Sequence, residues 1–266
     1  SVFRCNDIGD ELEIIVVDNN SLEQLALQNR IEADYPTVRY IQNKDNRGYG
    51  AGNNIGIAAA KSPYILIMNP DVRLREFSLK KVVLGFERHS NWGMQGFKQF
   101  ESTDKRGSSF VMLKPCLSSF SLQKVYHKLD AYNSSLFCFH GSCFALRKLC
   151  FEQSGFFNEE VFLYGEERYL HFSLQRTQEY KAVYDKTQSY IHPVHGRALV
   201  LNQAELGLTS YLNTIDHFGL NKLKLIKGQI RFEYFFYLKS ALFGRKEKAK
   251  FYKAKIKRLN QLIAKH

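Results

Sequence analysis

Hydrophobic and polar positions alternate between two periods along the first half of the chain. Ile14-Ile15-Val16-Val17 is a short β-branched run of the kind a sheet buries on both faces. Ser21 then predicts a helix start, with Gln24 three residues on as a capping-box partner and an end near Ala33. Val38–Ile41 predicts a second strand. A Gly-rich loop and a helix through Ala58-Ala59-Ala60 lead to a third strand at Tyr64–Met68. Strands alternating with helices predict an α/β fold with a mostly parallel, doubly wound sheet. Ligands of such sheets sit at the carboxyl ends of the strands. Here those ends carry Asp18-Asn19-Asn20 and Asn69-Pro70-Asp71.

From about Gly93 the pattern is less regular. Val111–Leu113, Leu136–Phe139 and Cys143–Leu146 predict strands, with a polar, Ser-rich loop near Ser118–Ser121 between the first two. A helix is predicted from about Glu166, with Leu170 and Leu174 on one face, then short strands at Ala182–Tyr184 and Ser189–Ile191. After His195-Gly196 the chain reads as helical. There is no internal repeat.

Charge divides the chain in a way that the apolar pattern does not. The formal net charge of the 266 residues is +12, and Asn221–His266 holds fourteen Lys and Arg against Glu233 and Glu247. That segment therefore carries the whole excess, and the preceding 220 residues balance 24 bases with 24 acids. A catalytic pocket in the body and a basic surface on the tail become separate questions. No stretch approaches the ~18 consecutive apolar residues of a membrane span. Five cysteines without a C-x-x-C pair read as a reduced, cytosolic chain with no structural zinc.

Four constellations carry candidate chemistry, and each has a plain alternative. Asp18 at a strand end can accept hydrogen bonds from a base or ribose, although Asp-Asn-Asn-Ser is also a helix-initiating turn. Asn43–Gly56 offers close backbone approach at Gly48, Gly50 and Gly52, a following helix and the positive charge of Arg47, enough to cradle a diphosphate. It lacks the Gly-Lys-Ser/Thr of a Walker loop. Asn69-Pro70-Asp71 is a good turn that also places a hard carboxylate where a divalent cation could bridge phosphates. Glu166-Glu167, after Tyr164-Gly165, suits a helix dipole and equally suits a general base beside an acceptor hydroxyl. His192 and His195 follow a strand, and either could be a metal ligand.

The order of these motifs resembles that of the family-2 glycosyltransferases, whose fold is called GT-A, and in particular the rhamnosyltransferase-like branch that builds bacterial surface polysaccharides. The resemblance covers about Ser1–Arg197. It rests on IIVVDNNS from Ile14, NRGYGAGNNIG from Asn46, YILIMNPDV from Tyr64, GFFNEEVFLYGEERYL from Gly155 and IHPVHG from Ile191. The family implies that Asp18, Asn20, Arg47, Gly48, Asn53, Asn69 and Asp71 contact the donor nucleotide. It implies that Asp71, with His192 or His195, holds Mg2+ or Mn2+. Glu167 matches the catalytic base with Glu166 in support, and His140-Gly141-Ser142 matches the sugar and acceptor pocket. Two features depart from the pattern. Tyr169 stands where relatives often have a second acid, and the family's first strand has no counterpart, so the true beginning of the protein is expected to lie upstream.

The resemblance implies an inverting, metal-dependent enzyme that moves a sugar from a UDP- or dTDP-sugar to a glycan or lipid-linked glycan. A sugar nucleotidyltransferase and an inactive GT-A-like binding module are the alternatives. The expected division is a GT-A domain over 1–200 and a basic, aromatic-rich helical tail over 201–266. Lysines beside aromatics suit an anionic membrane surface, here the inner face of the cell membrane, better than nucleic acid, for which the neutral body offers no basic track. The same helices could pair two copies into a homodimer.

Overall fold

The computed structural model describes residues 1–160, 162–193 and 201–264. Two compact units emerge, one formed by Ser1–Ser109 with Phe139–Pro193 and the other by Phe110–Cys138 with Val194–His266.

In the first unit, β1 (Ile14–Asp18) and β2 (Val38–Gln42) form a parallel ladder with Ile14 opposite Val38 and Asp18 opposite Gln42. Helix α1 (Gln24–Asp34) connects them, and α2 (Tyr49–Ala59) follows β2. A five-stranded sheet has the order β3 (Tyr64–Met68), β8 (Cys143–Arg147), β5 (Trp92–Phe100), β9 (Lys181–Ile191) and β4 (Arg73–Leu74). Helices α3 (Leu79–Arg88), α5 (Lys148–Gln153) and α6 (Glu166–Thr177) complete the unit. The α/β class is as expected, while the pairing within it is mixed. β5 runs parallel to β9, and the ladders β3–β8, β5–β8 and β4–β9 are antiparallel. Parallel neighbours need a crossover packed on the sheet. The chain reaches β8 instead through residues 110–138, which belong to the other unit.

Several local expectations change. Among the described residues β1 and β3 share no ladder, and each is paired on one side only. Ile14 to Val17 are consequently only half-buried, although their composition suits full burial. The Ser21–Gln24 capping box does not form. The Ser21 amide instead donates to Asp18 Oδ1 at 2.8 Å, and the Gln24 side chain pairs with Gln42. Most of the Gly-rich stretch is helix, since α2 begins at Tyr49. The two short strands predicted near 182 and 189 are one strand, β9, broken only by a register shift opposite Phe97 and Lys98.

The core of this unit joins Val82 and Phe86 of α3 to Phe97, Ala145 and Tyr190 of the sheet. Close approach at one point decides where the His140–Ser142 loop sits. A Cβ on Gly96 of β5 would lie 2.2 Å from the Phe139 ring. Phe139 can therefore lie flat on β5 and lead directly into His140.

The second unit holds β6 (Phe110–Met112), α4 (Leu117–Leu129), β7 (Phe137–Phe139) up to Cys138, and helices α7 (Leu201–His217), α8 (Lys222–Leu242) and α9 (Lys246–Ile263). The predicted Ser118–Ser121 loop lies inside α4. Packing overrides its loop-like composition, because the Phe120 ring meets Phe232 and Phe236 at 5.6 and 5.0 Å. Leu208, Tyr211, Ile215, Ile226 and Leu259 form the helical core. α8 and α9 are antiparallel about Gly244: buried Glu233 pairs with Lys255, and Phe236 lies 5.6 Å from Tyr252.

Gly96→Ala should overpack the β5–Phe139 contact and cost about 1–3 kcal/mol of stability. The midpoint of urea unfolding measures it, and an unchanged midpoint would mean that Phe139 is free to move aside.

Candidate active site

The candidate residues gather at one end of the first unit, where β1, β3 and β9 finish and β8 begins. Asp18 is buried at the end of β1. Its carboxylate accepts from the Ser21 amide at 2.8 Å and from the Tyr40 hydroxyl at 2.6 Å. Burial alone would raise its pKa, but these hydrogen bonds outweigh burial and hold it below the usual 3.8, so Asp18 is an anion at neutral pH. The reciprocal effect, after burial, lifts the Tyr40 phenol to about 12. Asn20 is exposed, in the left-handed region at φ 63°.

Asn19, the residue between them, ties this strand end to the Gly-rich segment. Its amide donates to Gly48 O at 3.0 Å and accepts from Asn43 at 2.6 Å. A Cβ on Gly52 would lie 2.4 Å from the same amide, which is the physical reason for a glycine inside α2. Gly48 is required twice over. Its φ is +92°, and a Cβ there would lie 2.1 Å from Phe162 O. Arg47, expected to face the donor, is paired with Glu159 at 2.7 Å. The Asn53 side chain donates to Tyr49 O within its own helix, while buried Asn54 bonds Phe157 O and Glu159.

At the end of β3 the Asn69 amide donates to Ser142 O at 2.9 Å, so the Asn-Pro-Asp turn and the His140-Gly141-Ser142 segment lie side by side. The Ser142 hydroxyl is buried with Tyr190 and Gln99, at 3.1 and 3.4 Å. Asp71 is exposed, and its Oδ2 lies 3.3 Å from His192 Nε2. The His192 ring in turn meets His140 edge-on at 6.1 Å. His195 lies outside the described residues.

Glu166 and Glu167 follow Tyr164 and Gly165, both left-handed, at φ 71° and 106°. This turn aims two adjacent carboxylates differently. Glu167 is half-buried and faces the loop: a Cβ on Gly141 would lie 3.9 Å from its Oε2 and 3.9 Å from the Tyr49 hydroxyl. Tyr49 donates that hydroxyl to Gly141 O. Burial, then the charges of Glu166 and Glu167, push the Tyr49 pKa far up, so the phenol stays a donor. Glu166 turns inward and is 4% exposed, with Oε1 unbonded among the described residues. Burial, reinforced by Glu167 against opposing backbone hydrogen bonds, raises its pKa from 4.5 to about 7.

The expected Mg2+ or Mn2+ can be tested against these residues. Among the described residues no group of three or more His, Cys, Asp or Glu is gathered to hold a metal. Asp71 and His192 supply two adjacent ligands, a carboxylate oxygen and an imidazole nitrogen. That set fits Mn2+, or Mg2+ less well, if a diphosphate and water complete the shell.

The chain belongs to glycosyl transferase family 2, which it matches over residues 3–155, more than half its length. It is 28% identical over 176 residues to the low-salt glycan biosynthesis hexosyltransferase Agl10 of Haloferax volcanii, covering 60% of this chain and 52% of that protein. The chain thus spans about half the length of this curated relative. Among solved structures it resembles the mannosyltransferase PcManGT of Pyrobaculum calidifontis in complex with GDP-Man and Mn2+. The TM-score is 0.58 at 13% identity, covering 81% of this chain and 58% of that one. It also resembles GalNAc-T7 with UDP, GalNAc and Mn2+, with a TM-score of 0.55 at 12% identity, covering 77% and 41%. The structural likeness is one of fold, and that fold is GT-A.

Tyr49, Asn19 and Asn54 are the site residues that motif reading passed over. All three stand inside the quoted motifs, in Gly-Tyr-Gly, Asp-Asn-Asn and Gly-Asn-Asn, where only contacts reveal what they join. The Gln99–Tyr190 pair beneath Ser142 has no sequence signal at all.

Glu166 makes stability depend on pH. Its folded pKa of about 7 lies above the ordinary 4.5, so the native state binds the extra proton and stability falls as pH rises through that interval. Glu166→Gln should remove this slope, worth of order 1–3 kcal/mol. Urea unfolding of both proteins on either side of the interval measures it, and parallel pH profiles would mean that Glu166 is not neutral when buried.

Proposed function

We propose that the protein is a hexosyltransferase that moves a sugar from a nucleoside-diphosphate donor to a hydroxyl of a glycan or lipid-linked glycan, with inversion at the anomeric carbon. The observation that carries this reading is the convergence of Asp18, Asp71 with His192, Gly141 and Glu167 at one end of the first unit. Family membership and the Agl10 relative support the same reaction class. The donor class is supported by the two solved relatives, which hold GDP-Man or UDP with Mn2+. UDP- and dTDP-sugars are the first donors to try.

In this mechanism Asp18 and Asn20 take the nucleoside, and the Gly48 turn and α2 lie along the donor. Arg47 would leave Glu159 for the diphosphate. Asp71 and His192 would hold a divalent cation, which neutralises the charge that builds on the departing diphosphate. Glu167 takes the proton of the acceptor hydroxyl as its oxygen bonds to the anomeric carbon and the bond to the diphosphate breaks. Of the two acids Glu167 is assigned this role because geometry precedes pKa: it faces Gly141, whereas Glu166 is turned into the protein. Glu166, beside it in sequence, and Tyr49, which donates to Gly141 O, are its neighbours. The acceptor is expected at the cytoplasmic face of a membrane, which the basic helices α8 and α9 would approach. No helix among the described residues is long and apolar enough to cross a membrane.

Glu167→Gln should lower kcat by on the order of 100- to 10,000-fold and leave donor affinity nearly unchanged. Release of nucleoside diphosphate gives the rate, and calorimetry gives the affinity. Undiminished turnover would remove Glu167 from the role of base.

A further inference from the structure

The α8–α9 hairpin has two unlike faces. One carries Phe232, Phe236 and Tyr252, packed among themselves and on Phe120 of α4. The other faces solvent with side chains that water does not favour. Tyr234, Leu238 and Leu242 recur every four residues along α8 and are 49%, 52% and 81% exposed, and Phe243 continues the stripe into the turn. Beside this stripe a groove between the helices is lined by Tyr234, Tyr237 and Ala254, with Lys250, Lys253 and Lys257 along α9. The two tyrosine rings lie 5.8 Å apart.

The charge on this face is nearly uncompensated. Of the two acids in the segment, Glu233 is buried against Lys255, and Glu247 pairs with Lys250 at 3.2 Å. Lys253 and Lys257 are exposed, and no ion pair joins either one among the described residues. An exposed aliphatic stripe, tyrosines with a polar tip, and free ammonium groups on one face match three depths of a lipid surface: acyl chains, interface and phosphate. A nucleic acid has use for the lysines and rings but none for Leu238 and Leu242. A second copy of the face would bring like charges together.

We propose that this face docks the protein on an anionic bilayer, with a phospholipid phosphate held in the groove by Lys253 and Lys257 and with Leu238, Leu242 and Phe243 in the acyl region. This deepens the reading of a membrane-borne acceptor, yet it is tested without any transfer reaction. Lysine contributions near an anionic surface are each about 5-fold in partitioning.

The experiment is flotation of the full chain with phosphatidylglycerol-containing vesicles and with pure phosphatidylcholine vesicles. The expected result is binding to the anionic vesicles only, weakened by salt. Lys253→Ala with Lys257→Ala should lower it on the order of 25-fold. Leu242→Ser, at the most exposed position of the stripe, should also weaken it without changing the circular dichroism spectrum. Equal binding by the double variant, equal binding to phosphatidylcholine, or a lipid-free dimer that Leu242→Ser dissociates would each overturn the proposal. Loss of transfer in Glu167→Gln with flotation intact would leave it standing, so the two readings fail separately.

Discussion

The antiparallel ladder between β3 and β8 is the constraint on which the site depends. Met68 pairs with Cys143, and one further backbone bond, Asn69 to Ser142, carries the register past both strand ends. Two segments seventy residues apart in sequence are thereby fixed as neighbours. Asp71 and His140–Ser142 then share one rim, and β9 adds His192 to it. A slip of one residue would turn every side chain of β3 over and would move Asp71 away from His192. Phe139, seated in the space left by Gly96, is a second restraint on the same rim.

Around that rim the polypeptide uses hydrogen bonds to fix side chains and burial to tune them. Asn19 holds the Gly48 turn against the end of β1, and Tyr49 reaches from that turn to the Gly141 carbonyl. The Asp18 side of the site and the Glu167 side are therefore joined through two side chains rather than through a continuous sheet. Adjacent carboxylates acquire different characters from the turn at Tyr164-Gly165. One stays partly in water, and the other is drawn inward, where burial raises its pKa to about 7. Asp18 shows the opposite outcome, a buried carboxylate kept ionised by the donors aimed at it.

Much of this was legible in the chain. The β-branched run at Ile14, the apolar run at Tyr64 and the turns after them placed Asp18 and Asp71 at strand ends, because local pattern alone determines such positions. β5 was not legible, since Gly93 and Gly96 interrupt its apolar alternation and its reason to exist is the partners on both sides. The Ser-rich start of α4 read as a loop, because Phe120 gains its packing from residues more than a hundred positions later. The tail's composition showed that basic and aromatic residues coexist. Only the fold separates the rings that pack inside from those left on the surface.

The most direct test of the account is calorimetric titration of the full chain with UDP, dTDP and GDP sugars, with and without Mn2+, and of Asp71→Asn under the same conditions. The account predicts that one nucleotide-sugar binds, that binding depends on Mn2+, and that Asp71→Asn abolishes the dependence. Binding that ignores both the metal and Asp71, or no binding of any donor, would contradict it.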